Sequence, residues 1–574
     1  MMIETSMEGS TASVVSRHRI LVSERVSADG LALLASHHDV DVKLGLSADE
    51  LMSIIPEYEG LIIRSETKVT PEVLQAGRKL KAVARAGVGI DNINVPAATS
   101  QGINVINSPG GSTLAAAEHT IALLLATARN IGRADRTIKD SKWERGRLVG
   151  VGVGRTTLGI VGLGKVGINV ARMAKGLGMQ VKAVDPFASA DMARQAGVEL
   201  VSDLKTLLPH VDFLTIHTPL LATTMDLIGE EELQMMKETA RVLNVARGGV
   251  YNEAALLKAL DEGSIAGAGL DVFTTEPLIP GSVADWLAKH PNTVATPHLG
   301  ASTVEAQENV SIDVCTQMLE ILRGGLPTSA VNAPVILPEE YRKLGPAVRL
   351  VEKMGRLYTQ HFVKSKGGMI GGRRFELIYH GDLAGLQNTK PLFAALVKGL
   401  AAFFSDSHVN IVNATLIAKE KGIIISETHV HQSTSLKYSN LVTLKSIADE
   451  ARGLDVEQII EGYIGPDKRV YISKLDRFNA TFKPEGTLII VHNYDEPGKI
   501  GGVGTMLGSH GINIRYMQVA SLDAEARQSP STLLSQQKDN EALMILGVDG
   551  EVSAQIVDGL KASKGVLDVS LVQL

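Results

Sequence analysis

Residues 158–185 read LGIVGLGKVGINVARMAKGLGMQVKAVD: an apolar run, glycines at 162, 164 and 167, a helix-forming segment, a second apolar run and an aspartate. Each glycine answers a steric demand. Gly162 permits a tight turn after a strand, Gly164 lets backbone approach a pyrophosphate, and Gly167 lets helix and strand pack closely. The amino end of the helix then faces the anion. Asp185 closes the next strand about 20 residues on, placed to accept the hydroxyls of an adenosine ribose. The same carboxylate repels a 2'-phosphate, and Pro186 and Phe187 offer no arginine to hold one. The residues therefore point to NAD over NADP, set against a bland reading as a glycine-rich turn that only packs.

Working outward, the alternation of short apolar runs with helix-like segments continues on both sides. Downstream come VKAVD, VDFLTIHT, ARVLNVA, AGAGLDV and NTVATPH; upstream, from His18, come RILVS, GLIIRS, KAVARA and INVIN. Such alternation predicts two parallel α/β sheets. After His298, STVEAQENVSIDVCTQMLEILRGG predicts a long amphipathic helix, with Ser302 and Glu305 at capping-box spacing and a double glycine as its stop. Cys315, the single cysteine, reads as a small core residue inside that helix. Three prolines in GGLPTSAVNAPVILPEEY mark a hinge and a boundary near residue 330. Residues 335 to 475 mix helix and strand signals; His429 and His431 in THVHQ lack acidic or cysteine partners at ligand spacing and read as strand or loop histidines. From 485 the order strand, helix, strand, polar insertion (Asp523 to Asn540), strand, helix, strand makes a ferredoxin-like βαββαβ unit.

Composition limits the function classes. The 574 residues are 44% hydrophobic and 21% charged, enough for several globular domains. A net charge of -6 and a pI near 6.2 give no basic footprint for nucleic acid. One cysteine excludes an internal disulfide and a cysteine-rich zinc site, and fits a reducing compartment. The start, MMIETSMEGSTASVVSRH, reads as a frayed tail without a secretory core, and no stretch reaches the ~18 apolar residues of a membrane span. A soluble, cytoplasmic protein with no metal is expected.

Three residues follow strands of the second series: Arg247 in LNVARGGVYNE, Glu276 in GLDVFTTEP and His298 in ATPHLGAS. In an open parallel sheet the ligand crevice lies at the carboxyl ends of the strands, so all three enter one region. Singly, the arginine could cap a turn, the glutamate could be solvated and the histidine could be a core group or a metal ligand. Together they suit oxidation of a secondary alcohol. His298 accepts the hydroxyl proton, Glu276 orients the ring and stabilises its charge, and Arg247 holds a carboxylate or polarises the adjacent oxygen. Asp271 is suited to the nicotinamide end and could equally be structural.

GIVGLGKVG, NVARGGVYNE, GLDVFTTEP and TPHLGAS, in this order, resemble the D-isomer-specific 2-hydroxyacid dehydrogenases, and RSETKVT, RAGVGIDNIN and NSPGGSTLAAAEHT resemble that family's first domain. The C-terminal additions resemble the family's long members, which carry an ACT domain. This likeness implies a flavodoxin-like discontinuous substrate domain (18–115 and 302–330) hinged to a Rossmann-like cofactor domain (116–301), an α+β intervening domain (335–478) that responds to an anion, and an ACT regulatory domain (485–574). It implies that Arg64, Ser65 and Arg85 hold the substrate's acidic groups and that Gly87, Val88 and Gly89 offer backbone near its carboxylate, Val88 also meeting the cofactor. It further implies that Lys165 and Val166 lie at the pyrophosphate, Thr218 near the cofactor, and Val245, Ala246, Arg247 and the segment His298, Leu299, Gly300 and Ala301 along the nicotinamide half. Where relatives usually show Gly-Asn, this chain has Gly111 and Ser112, a departure that touches substrate positioning.

The activity so implied is NAD-dependent oxidation of 3-phospho-D-glycerate to 3-phosphohydroxypyruvate, the entry to serine synthesis, by a homodimer or homotetramer. Asn493, Asp495 and Asn513 match positions that contact a serine effector, although Asn and Asp are also common in turns. The alternatives are a dehydrogenase for another D-2-hydroxyacid, which would share every catalytic residue, and a non-catalytic NAD-sensing protein, which would not turn over.

Overall fold

The structure, a computed structural model, describes residues 17–574 other than 326–327, 335, 337, 367–369, 405–407, 432–437, 439, 449–456 and 523–539. The opening tail and almost all of the polar insertion expected at 523 to 540 thus lie outside the described residues.

The first sheet comprises β1 (Arg19–Val22), β2 (Asp39–Val42), β3 (Gly60–Ile63), β4 (Ala82–Arg85) and β5 (Asn104–Asn107), all parallel in the order β2-β1-β3-β4-β5. The second comprises β6 (Thr157–Val161), β7 (Gln180–Val184), β8 (Glu199–Leu200), β9 (Phe213–Ile216), β10 (Arg241–Asn244), β11 (Gly267–Leu270) and β12 (Thr293–Ala295), ordered β12-β11-β10-β9-β6-β7-β8 and also parallel. These are the flavodoxin-like and doubly wound orders. The interior strands are buried on both faces, which is why they read as apolar runs. β2 and β8 have no such run: DVDV and EL are edge strands with half-exposed or exposed side chains, so apolar patterning does not reveal them.

Two helices cross between the sheets. Thr113–Ala128 packs Ala117, Leu123, Leu124 and Ala128 onto the second sheet, whereas Val304–Leu322 returns Val310, Val314, Cys315 and Met318 to the first. The returning helix is capped by Thr303, whose hydroxyl accepts from Ala306 N, and not by the Ser302–Glu305 box. The reason is local: Ser302 N donates to Leu299 O and is spent closing the preceding turn. Cys315 is fully buried, and burial pushes its thiol up to about 12, so it is an unreactive core group. Beyond the expected boundary near 330 the chain still follows the first sheet: Ala330 bridges Ile106, and Asn332 bonds Val105 N and Ile103 O.

A third sheet, β13 (Arg374–Gly381), β14 (Ile424–Val430), β15 (Asn440–Ser446), β16 (Gln458–Ile464) and β17 (Val470–Leu475), has the order β14-β13-β15-β16-β17. The fourth, β18 (Thr487–Tyr494), β19 (Asn513–Ser521), β20 (Glu541–Asp549) and β21 (Val566–Gln573), is antiparallel in the order β19-β20-β18-β21, with helices Lys499–Ser509 and Ala554–Lys561 completing the βαββαβ path. The two sheets share one apolar core, in which Leu350, Leu396 and Phe375 join Leu488, Ile490, Ile545 and Val572. His429 on β14 bonds Ala384 O, lies tilted against Tyr379 and stacks beside His431; among the described residues no group of three His, Cys, Asp or Glu side chains could hold a metal ion.

Candidate active site

Strand register brings the loops of the second sheet to one level. Val161 pairs with Val184 and Ile216, Ile216 with Asn244, Asn244 with Leu270, and Leu270 with Ala295. The residues that follow, Gly162, Asp185, His217, Val245, Asp271 and Thr296, therefore leave the sheet along one edge.

At the middle of that edge lies the glycine turn. Gly162 has φ +92°, and a Cβ there would sit 2.8 Å from His217 O. A Cβ on Gly167 would come 2.3 Å from Gly162 O, so helix and turn are in backbone contact, whereas the space around Gly164 is open within 4 Å. Gly164 caps the helix Lys165–Gly176 without a side-chain bond, leaving the first-turn amides of Lys165 and Val166 uncapped by any side chain. Asp185, half-buried, accepts from Leu163 N at 2.7 Å and Phe187 N at 2.8 Å, tying the turn to the end of β7 and leaving lone pairs on both oxygens unused by these bonds. Beside the turn, the Thr218 hydroxyl is buried without a hydrogen-bond partner. An open backbone cradle, a half-buried carboxylate with acceptor capacity to spare and an orphaned hydroxyl fit a dinucleotide.

Further along the edge, His298 Nδ1 lies 2.7 Å from Glu276 Oε2. The carboxylate is an acceptor, so Nδ1 donates, and in the neutral ring that tautomer leaves the lone pair on Nε2. Burial favours the neutral acid of Glu276, but the bonds from the His298 ring and from Phe273 N outweigh it and hold the carboxyl below its usual range. His298 adopts φ +55°, a left-handed conformation uncommon for a side chain of this size, fixed by its N–H bonding to Asp271 O and Thr296 O. Asp271 is 1% exposed and its oxygens are taken up by Leu299 N, Gly300 N, Thr296 Oγ1 and His119 Nε2. These bonds hold the His298–Ala301 loop, where a Cβ on Gly300 would lie 2.9 Å from the Val245 side chain.

Arg247 is carried to the same place by its loop. Asn244 accepts from Ala246 N and donates to Arg247 O, and Gly248 packs so closely on Phe273 that a Cβ would meet its carbonyl at 2.1 Å. The Arg247 guanidinium reaches across to the first sheet, where it bonds Asp91 at 3.2 Å and overlies Gly89. There the end of β4 sets Arg85 beside Arg64: Arg85 Nε donates to Arg64 O at 3.2 Å, and Gly87 lies under the Arg85 guanidinium. Burial, then the Arg247 charge, weakens Arg85's hold on its proton, while Asp91 and Glu24 oppose this. Ser65 and Val88 are exposed on the same rim, with Val88 O taken by Asn107. Ser112 is buried at the start of Thr113–Ala128 and forms no side-chain cap bond.

The tail residues are not brought together in one chain. Asn493 pairs with Ala542 and Asn513 with Asp549, seven positions apart along β20, about 23 Å at strand rise. Asn493 is buried with its Oδ1 unpartnered, Asp495 is exposed, and Asn513 bonds Asp549.

Reading by motif missed Glu24, Asp91, Asn92, His119 and Asn244. Glu24 follows β1 at the carboxyl edge and was open to the rule that found His298; His119, inside a helix, carried no local signal.

Residues 121–300 match the family model for the D-isomer specific 2-hydroxyacid dehydrogenase, NAD binding domain, and residues 343–467 that for the D-3-phosphoglycerate dehydrogenase intervening domain. A D-3-phosphoglycerate dehydrogenase of Synechocystis is 40% identical over 97% of this chain and 95% of its own. D-3-phosphoglycerate dehydrogenase 2, chloroplastic, of Arabidopsis thaliana is 42% identical over 93% of this chain and 83% of its own. Among solved structures, the TT0316 protein from Thermus thermophilus aligns with a TM-score of 0.51 at 34% identity, covering 55% of this chain and 99% of that one. Joined to a doubly wound sheet whose edge holds a glycine cradle and a His–Glu pair, these matches make the chain a member of the D-isomer specific 2-hydroxyacid dehydrogenase family, on the branch of the D-3-phosphoglycerate dehydrogenases.

Proposed function

We propose that the protein oxidises 3-phospho-D-glycerate to 3-phosphohydroxypyruvate with NAD, the entry to serine synthesis, with His298 as general base. The observation that carries this is the 2.7 Å His298–Glu276 pair on the same strand-end edge as the cradle, an edge from which Arg247 also reaches the first sheet to cluster with Arg85 and Arg64. Gly162, Gly164, Gly167, the amides of Lys165 and Val166, Asp185 and Thr218 would hold the adenosine and pyrophosphate; Val245, Ala246 and the loop Leu299–Ala301 would line the nicotinamide half. When bound, NAD supplies the acceptor for the C2 hydrogen and its electron pair. His298 Nε2 takes the hydroxyl proton, and Glu276 stabilises the imidazolium so formed. Arg247 donates to the α-carboxylate and to the oxygen that becomes a carbonyl; its fork is already pointed by Asp91 and Ala246 O. Arg64 and Arg85, with Ser65 and the backbone of Gly87, Val88 and Gly89, receive the acidic groups. A doubly charged phosphate suits a site where arginines outnumber free carboxylates.

The finer reading extends to assembly and control. With Asn493 and Asn513 at opposite ends of the fourth sheet, a serine site that uses both draws them from two copies, which supports a homodimer or homotetramer. The proposed compartment is the cytoplasm; no described helix is long and apolar enough to cross a membrane.

The test follows NADH absorbance for the purified protein with NAD and 3-phosphoglycerate beside His298→Ala. Turnover falling roughly 100- to 10,000-fold in the variant is expected for a lost general base. Turnover only on another 2-hydroxyacid would discard the substrate, and silence on all would discard the enzyme.

A further inference from the structure

β1 leads into Ser23 and Glu24 at the level where β3 leads into Arg64 and β4 ends at Arg85. Glu24 is only 8% exposed, rare for a carboxylate, and no cation bonds it among the described residues. Its Oε1 accepts from Arg64 N at 2.8 Å and Thr67 N at 2.9 Å, and its Oε2 from Glu66 N at 3.1 Å. The Ser23 and Thr67 hydroxyls meet at 2.9 Å. From the other side Asn92 donates to Arg64 O at 2.8 Å and Thr67 O at 2.7 Å, and Arg85 Nε to Arg64 O. The turn is gripped by its amides and its carbonyls at once. Burial favours the neutral acid of Glu24, and the amide bonds outweigh it, so the group is an anion. A buried ion is a poor source of stability compared with apolar packing of the same volume. Its geometric consequence is specific: three amides converge on one carboxylate, and one of them belongs to Arg64, whose charge acts on Arg85.

We propose that Glu24 is a positioning residue for substrate recognition: by clamping the amides of Arg64, Glu66 and Thr67 it sets where Arg64 enters the cleft, and its charge lets Arg64 and Arg85 stand side by side. This rests on the reading that those arginines receive the substrate's acidic groups. Glu24→Gln keeps one acceptor oxygen but turns an amide donor toward Glu66 N, and so loosens the turn without emptying its site.

The experiment is steady-state kinetics of the full-length protein at saturating NAD, with Arg64→Ala as control. Glu24→Gln should raise KM for 3-phosphoglycerate at least about fivefold while kcat and the KM for NAD stay within about twofold. Added to Arg64→Ala it should raise KM no further, since both act through one side chain. Asn92→Ala, which frees the carbonyls of the same turn, should reproduce the KM effect and carries the test if Glu24→Gln fails to fold. If Arg64→Ala leaves KM unchanged, the reading of the arginines falls and the proposal with it. Should Arg64→Ala raise KM while Glu24→Gln or Asn92→Ala leaves it in place, or degrades kcat and NAD affinity alike, the positioning role is overturned and the arginine reading stands.

Discussion

Glu276 and Asp271 show how two carboxylates close together on one loop take different work. Asp271 is sealed, with loop amides and His119 filling its oxygens, whereas Glu276 spends one oxygen on Phe273 N and keeps the other for the ring of His298. Glu276→Gln should therefore fold normally and lose at least tenfold in kcat, about 1.4 kcal/mol of transition-state stabilisation, read by steady-state kinetics. Asp271→Asn should instead lose stability, because an amide donor would face a loop N–H in a dry site; about 1 to 3 kcal/mol is expected from thermal or denaturant unfolding at neutral pH. The sign with pH follows from the carboxyl being held below its ordinary value: burial opposes this, and the bonds from His119, Thr296 and Leu299 prevail. A depressed group stabilises above its unfolded pKa of about 4 and loses that contribution as pH falls through the lower folded value. The gap in unfolding midpoint between wild type and Asp271→Asn should accordingly narrow in acid.

At the scale of elements, the turn from β6 into Lys165–Gly176 separates packing from recognition. Gly167 is in contact with Gly162 O, so Gly167→Ala must move the helix and should cost both stability and NAD affinity. The space at Gly164 is open and its φ of -75° is ordinary for any residue, so Gly164→Ala should leave the melting temperature within about 1 °C of wild type yet raise KM for NAD. Equal melting losses in the two variants would mean that Gly164, too, only packs. The same turn was the most legible element of the chain, because glycine spacing is a direct record of backbone contact. Edge strands β2 and β8 left no such record, since exposed pairing needs no apolar side chain.

Across the whole molecule, the intervening unit meets the first sheet at Gly102. There φ is +72°, Asn410 Nδ2 bonds Gly102 O at 2.6 Å, and a Cβ would lie 2.9 Å from both Asn413 Nδ2 and His408 O. Gly102→Ala should cost roughly 1 to 2 kcal/mol for the left-handed backbone alone, and should speed hydrogen exchange over 408–413, with the NAD-binding sheet unaffected. At the other end, Asn493 and Asn513 are too far apart to share one small ligand within a chain. Any serine inhibition should therefore fade on dilution below the dimer's dissociation constant, measured by activity across protein concentration alongside sedimentation. Inhibition that survives in monomers would remove Asn513 from the site.

By itself, the sequence determined the α/β class, the glycine turn and the NAD cofactor, and it singled out Arg247, Glu276 and His298 as one candidate constellation, because each is recorded locally: a strand's burial in apolar runs, a backbone approach in glycines, a strand-end position in the residue that follows. Tertiary structure alone decided what needs distant segments to meet. It set Arg247 against Asp91 across two sheets, closed Asp271 with His119, turned Glu24 onto the amides beside Arg64, and fused the last two sheets into one core. Hydrogen bonds between residues far apart in sequence leave no periodicity or spacing, so they become readable only once the chain is folded.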